Sequence, residues 1–197
     1  MSNFFHSIQF LKSAASLSQL PVDRGAEVAF VGRSNAGKSS ALNAIAGIKK
    51  LAKVSNTPGR TQLINLFALD DHRRLVDLPG YGYAAVPQEI KLRWQTTLAN
   101  YLESRESLQG LILLMDIRHP LKELDQNFLV WSARRNLPVH VLLTKADKFS
   151  KGGAANILQQ VLPELRKLHP NATAQLFSSP NKMGVDQAQK QIIQWLQ

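Results

Sequence analysis

A short apolar run at residues 27–31 ends in Gly32 and opens into Gly32-Arg33-Ser34-Asn35-Ala36-Gly37-Lys38-Ser39. The stretch from Lys38 to Ala46 then favours a helix. The pattern G-x-x-x-x-G-K-S, placed between a strand and a helix, is the form of a loop whose backbone N–H groups curl around an anion. Its glycines permit the curl. Lys38 reaches toward the outer phosphates of a nucleotide, and the Ser39 hydroxyl suits a magnesium ion. The positive end of the following helix adds to the same field.

Around this loop the apolar pattern alternates between strands and helices. Residues 64–69 and 73–76 are strand-like, and Asp70-Asp71-His72 between them predicts a hairpin. Residues 111–115 and 139–143 are apolar throughout, as in strands buried on both faces, and 175–177 gives a last strand. Helical spacing occupies 88–103, 121–135, 157–168 and 185–196. The expected class is therefore α/β: a six-stranded, mainly parallel sheet with one antiparallel strand and helices on both faces. Ligands of such sheets sit beyond the carboxyl ends of the strands, where each motif below falls.

At 197 residues the chain suits one domain, read as 25–197, with 1–24 as a segment before it. Phe4, Phe5, Ile8, Phe10 and Leu11 of that segment are expected to pack on the core. Cysteine is absent, which excludes disulfides and thiolate metal sites and fits a reducing cytoplasm. No apolar stretch is long enough to span a bilayer as a helix, so no membrane association is expected. The net charge of +10 points instead to a polyanionic partner such as RNA. Its bases are scattered in pairs such as Lys49-Lys50 and Arg134-Arg135, which predicts a basic surface on the domain rather than a charged tail.

Four further motifs follow the loop. Asp77-Leu78-Pro79-Gly80 ends a strand. There an acid can hold magnesium through water, and a glycine N–H can sense a γ-phosphate. In Thr144-Lys145-Ala146-Asp147 the final carboxylate can accept two hydrogen bonds from guanine, a donor pair that adenine lacks. The Lys145 stem can cover the base plane. Asn more usually stands where Thr144 does. Phe177-Ser178-Ser179 can offer an N–H to the guanine carbonyl. Thr57-Pro58-Gly59-Arg60-Thr61 precedes the hairpin, and either threonine qualifies on chemistry as a second magnesium ligand. His119 reads as a loop residue, His140 as a packed strand residue, and Trp94, Trp131 and Trp195 as core.

The strings GRSNAGKSS, TPGRTQLIN, VDLPGYGYA, LLMDIRHPL, TKADK and FSS occur in one order. Together they resemble the EngB family of bacterial GTPases from about Glu27 onward. The resemblance implies a Ras-like fold, GTP and GDP as ligands, Mg2+ as cofactor, and a role in assembling the large ribosomal subunit. It also implies a requirement in cell division and septation. By motif position it extends the nucleotide contacts to Gly59-Arg60-Thr61-Gln62-Leu63 and selects Thr61, with Ser39, as the metal-binding pair. After Ser179, Pro180 departs from the family pattern and removes an N–H.

Tyr81 follows D-x-x-G where Ras-type enzymes carry a water-orienting glutamine, so intrinsic hydrolysis is expected to be slow. The groups expected to serve catalysis are Lys38, Thr61, Gly80 and Asn35, the last as a holder of a K+ ion beside the phosphates. The chain is expected to be monomeric and to bind the large ribosomal subunit and its RNA. A GTP-gated RNA scaffold is the main rival. An ATP-using kinase is disfavoured by Thr144-Lys145-Ala146-Asp147.

Overall fold

A computed structural model describes residues 3–52, 63–81 and 88–197. Among the described residues, seven strands form one sheet: β1 (Gln9–Ala14), β2 (Ala26–Gly32), β3 (Ile64–Ala68), β4 (Arg73–Asp77), β5 (Leu108–Asp116), β6 (Val139–Thr144) and β7 (Thr173–Leu176). Their order is β1-β3-β4-β2-β5-β6-β7. The described residues also hold five α-helices: α1 (Lys38–Ala46), α2 (Gln88–Ser104), α3 (Glu123–Arg134), α4 (Lys151–Leu168) and α5 (Val185–Leu196). The fold is the Ras-like α/β class expected, with β3 the single strand that runs against the others.

The strand count differs from the expectation. The seventh strand, β1, comes from the segment placed before the domain, and it pairs along β3 from Gln9↔Ala68 to Ala14↔Ile64. Its residues lack an alternating apolar pattern because β1 is an edge strand with little burial along most of its length. Phe5 and Ile8 enter the core as expected, whereas Phe10 and Leu11 remain largely exposed at the edge.

Alternation along the central strands divides the core. Val28 and Phe30 of β2 face α1 and α5, packing with Leu42, Ile45, Ala188 and Ile192. Ala29 and Val31 face the other side, with Tyr101 and Leu102 of α2, Leu129 of α3 and Leu165 of α4. Both faces are therefore dry, which explains the near-continuous apolar runs of β5 and β6. β2, β4, β5, β6 and β7 are parallel, so their carboxyl ends share one edge of the sheet.

The opposite edge is held by a buried carboxylate. Glu27, fully buried near the start of β2, accepts hydrogen bonds from Arg74 Nε (2.7 Å), Tyr101 Oη (2.7 Å), and Arg105 Nη2 (2.7 Å) and Nε (3.0 Å). Arg105 Nη1 also donates to the Pro21 carbonyl (3.0 Å), and Arg74 donates to that of Arg24. The network thus ties the segment before β2 to β4 and to the end of α2. Burial pushes the Glu27 carboxyl up, but the bonds from Arg105 and Tyr101, with the Arg105 charge, outweigh it and leave the group below its ordinary value.

Removing one member of a buried ion cluster leaves its partners uncompensated. Glu27→Ala is expected to lower unfolding free energy by about 3–5 kcal/mol at neutral pH, measured by urea denaturation. Because the folded pKa is depressed, the parent's advantage is present above the ordinary carboxylate range. It should fade as pH falls through the folded value.

Candidate nucleotide site

Residues 32–39 run from the last residue of β2 into the first turn of α1. A side chain at Gly32 would place its Cβ 2.7 Å from the Leu114 carbonyl oxygen, so the loop leaves β2 where only glycine fits. Gly37, the residue before α1, has φ +88°, and Asn35 adopts the left-handed region at φ +63°. These turns set the loop's curl. Ala36 N–H donates to the Arg33 carbonyl at 3.1 Å within it. Ser34 is half-buried, Asn35 is exposed, and Ser39 sits one residue into α1.

The loop is braced from behind by the end of β6. Thr144 Oγ1 donates to the Ala36 carbonyl at 2.7 Å, with the Met115 carbonyl at 3.1 Å. Lys145, itself at φ +62°, donates from Nζ to the Asn35 carbonyl at 2.9 Å. A threonine in place of the more usual asparagine therefore still reaches the loop, through its hydroxyl.

Asp77 closes β4 beside the loop, almost fully buried, and forms a direct ion pair with Lys38. Leu78 N–H donates to the Phe30 carbonyl at 3.0 Å, and Leu78, Pro79 and Gly80 follow as buried backbone. At Tyr81 the two segments join. Its N–H donates to the Gly32 carbonyl (3.2 Å), and its carbonyl accepts from Ser34 N–H (2.9 Å).

Asp147 lies near the surface at the same edge. Its Oδ1 accepts from Ser178 Oγ at 2.6 Å, and its Oδ2 lies 3.6 Å from Lys148 Nζ. The Ser178 hydrogen bond is the main cause that holds this carboxyl below its ordinary range. Ala146 N–H donates to the Phe177 carbonyl (3.1 Å), so the two motifs read as separate in sequence share one backbone contact. Ser179 begins the turn enclosed by the Ser178↔Met183 bridge.

Of the remaining residues, Leu63 is described and partly exposed beside β3. Gly59, Arg60, Thr61, Gln62 and Thr57 lie outside the described residues, as does the side chain of Trp94. His140 is buried, with Nδ1 at 2.6 Å from Thr173 Oγ1 and Nε2 at 2.8 Å from Gln175 Oε1. Both ring nitrogens are engaged in packing contacts, as expected of a structural histidine.

Two further acids lie at this edge: Asp116, within the LLMDIRHPL string but given no role from sequence, and Asp125, outside every motif. Asp116, at the end of β5, accepts from Arg118 Nη2 (2.6 Å) and Nε (2.9 Å) and lies 2.8 Å from Lys145 Nζ. Its hydrogen bond from Arg118 is the largest cause of a carboxyl held far below the usual range. Asp125 of α3 accepts from Tyr81 Oη at 2.6 Å. Arg118 stands two residues after Asp116, whereas the contacts of Asp116 with Lys145 and of Asp125 with Tyr81 are brought together only by the fold.

The donor chemistry fits Mg2+. Ser39 and Asp77 offer hard oxygen atoms at adjoining ends of α1 and β4. Among the described residues no group of three or more His, Cys, Asp or Glu is suited to hold a metal alone. That suits an ion which keeps its waters and takes other ligands from phosphates.

A family described as "50S ribosome-binding GTPase" matches residues 27–145. The "Probable GTP-binding protein EngB" of Coxiella burnetii (strain RSA 331 / Henzerling II) is 51% identical over 97% of this chain and 93% of its own length. That of Aeromonas salmonicida (strain A449) is 55% identical, over 97% and 88%. Among solved structures, a probable GTP-binding protein engB has a TM-score of 0.68 at 19% identity, covering 87% of this chain and 98% of that one. Era in complex with MgGDPNP and nucleotides 1506–1542 of 16S ribosomal RNA gives 0.67 at 23% identity, covering 88% and 57%. These two structural likenesses support the fold.

Asp147→Asn reverses the donor and acceptor pattern offered to a base. The expected outcome is GTP affinity reduced by about tenfold or more, with a gain for xanthosine triphosphate. Competition by GTP, GDP, ATP and xanthosine triphosphate against a fluorescent guanine nucleotide measures it. Unchanged GTP affinity would show that Asp147 does not read the base.

Proposed function

This chain belongs to the EngB family of GTP-binding, GTP-hydrolysing proteins, and from that premise we propose that it is a nucleotide switch in assembly of the large ribosomal subunit. The observation that carries the switch is the backbone exchange of Tyr81 with Gly32 and Ser34. Through it, the phosphate loop and the segment ending in Gly80 form one hydrogen-bonded unit. A γ-phosphate touching that unit then changes the set of the loop that follows. The partner is inferred from the family match over residues 27–145, and the charge of +10 suits a surface of ribosomal RNA. Normal cell division and septation then depend on the protein through ribosome supply, in a cytoplasmic monomer.

On this reading residues 32–39 wrap the phosphates, with Lys38 exchanging its ion pair with Asp77 for the β- and γ-oxygens. Gly80 N–H senses the γ-phosphate. Residues 59–63 cover the nucleotide, and Thr61 with Ser39 holds Mg2+, which when bound neutralises phosphate charge. Asp147 and Lys145 grip guanine, aided by Ala146 and by backbone at Phe177, Ser178 and Ser179. Leu78 and Pro79 position the sensing glycine. Tyr81 cannot present a carboxamide to water, so intrinsic hydrolysis is slow. That feature also favours a second reading, an RNA-binding scaffold gated by GTP in which turnover is incidental.

Sedimentation with purified large subunits separates these readings from a nucleotide enzyme without such a partner. Binding is expected to be tighter with a non-hydrolysable GTP analogue than with GDP, and to weaken steeply as salt rises. Co-migration indifferent to nucleotide would remove the switch, and no binding at low salt would remove the partner.

Asn35 supplies a separate test. It is exposed in the loop, and its carbonyl is held by Lys145. A K+ ion held by its side chain beside the α- and γ-phosphates would offset charge developing on the leaving group, as an arginine finger does. Steady-state turnover in matched potassium and sodium chloride should then be faster in potassium, and Asn35→Ala should erase the difference while GDP binding persists. Equal rates in both salts, with and without ribosomal subunits, would dismiss the ion.

A further inference from the structure

We propose that Asp125 is a positioning residue for the GTP-sensing loop, acting through the Tyr81 hydroxyl to hold the Gly80 N–H in place. The proposal rests on the switch reading above and adds a residue that no motif contains.

Tyr81 stands where a water-orienting side chain would project, yet its hydroxyl is committed elsewhere. It donates to Asp125 Oδ1 at 2.6 Å, and its ring stacks on Phe128 with centroids 6.0 Å apart and planes 17° from parallel. Its main chain is meanwhile pinned on both sides, to Gly32 and Ser34 of the phosphate loop. One residue therefore joins three parts: the phosphate loop through its backbone, the sensing glycine through its preceding peptide, and α3 through its side chain.

The anchor on α3 is rigid. Asp125 is almost fully buried, and its Oδ2 accepts the Lys122 N–H at 3.1 Å, closing the first turn of the helix. α3 is in turn fixed to the core by fully buried Leu129 and Ser132. Apart from the nearby Arg33 charge the surroundings are apolar: Leu98, Leu102, Leu124, Phe128 and Trp131 line a groove of about 190 Å³ with Tyr81. Burial raises the Asp125 carboxyl above its ordinary range, the setting in which a lost hydrogen bond is costly. Apolar contact alone would bury the tyrosine ring in several rotations. A single buried acceptor selects one, and with it the path of the backbone at Gly80.

The consequence is specific to the third phosphate. Gly80 N–H meets the γ-phosphate, so ordering it beforehand lowers the cost of binding GTP and leaves GDP unaffected. Loosening the pair should therefore weaken GTP more than GDP.

Tyr81→Phe keeps the ring and its stack and removes only the hydroxyl; Asp125→Ala removes the acceptor. Dissociation constants for GDP and a non-hydrolysable GTP analogue would be measured by displacement of a fluorescent nucleotide in magnesium buffer. Each single variant is expected to weaken the analogue about three- to tenfold, with GDP changed by less than about twofold. The double variant should be no worse than Asp125→Ala alone, since without the acceptor the Tyr81 hydroxyl has no bond left to lose. Equal weakening of both nucleotides, an unchanged ratio, a shift in favour of the analogue, or additive losses would each overturn the proposal. If the parent protein itself fails to bind the analogue, the switch reading falls and takes this proposal with it. A parent that binds both, with variants that keep its ratio, removes the positioning role alone.

Discussion

A loop that turns its N–H groups toward an anion turns carbonyl groups the other way, and carbonyls facing the protein need donors. In this chain two of those donors come from the end of one strand. Thr144 Oγ1 takes the Ala36 carbonyl and Lys145 Nζ takes that of Asn35. The phosphate loop at the end of β2 is therefore shaped by β6, two strands away, and β6 is held by its ladders to β5 and β7. The requirement also explains how threonine can serve here. The job facing the loop needs one hydroxyl proton on a carbonyl, and threonine on a strand end supplies it with a β-branched side chain suited to that position.

β2 carries the second fixed point at its other end. Glu27 lies five residues before Gly32 on a strand buried along nearly its whole length. By gathering Arg74, Tyr101 and Arg105, it locks β4 and the end of α2 to the strand that launches the phosphate loop. α2 begins just after the 82–87 segment and ends in this network. On the switch proposed above, a change passed on to α2 would meet a helix whose far end is held by a buried carboxylate.

Legibility from sequence followed burial and locality. The loop at 32–39, the hairpin around Asp70 and helix α5 could be read because local spacing and turn chemistry determine them; Asp70 itself accepts the backbone N–H groups of His72 and Arg73. The edge strand β1 could not, because a strand with one neighbour and a mostly solvent-facing surface needs no alternating pattern. Helix α4 begins at Lys151, six residues before its apolar periodicity becomes visible, since its Ser150 cap and two glycines carry no hydrophobic signal. At the site, the motifs marked which segments meet. They did not mark Asp125, whose partner Tyr81 is distant in sequence and whose pairing depends on how α3 sits against the loop.

Lys145 draws the base end and the phosphate end of the site together. Its ammonium lies between the Asn35 carbonyl and Asp116, while its backbone sits in the left-handed turn that presents Asp147. Asp116 is itself neutralised by Arg118, while Asp147 is oriented by Ser178 beside Lys148. The lysine is thus free to act as a strut rather than as the sole counter-charge of Asp116. If Asp147 reads the base as proposed, a strut of this kind would make the two recognitions interdependent: a base that displaced Asp147 would strain the turn at Lys145, and through the Asn35 carbonyl the strain would reach the phosphate loop. Guanine selection in such a site need not depend on base contacts alone, because a poorly seated base also disturbs the loop proposed to hold its phosphates.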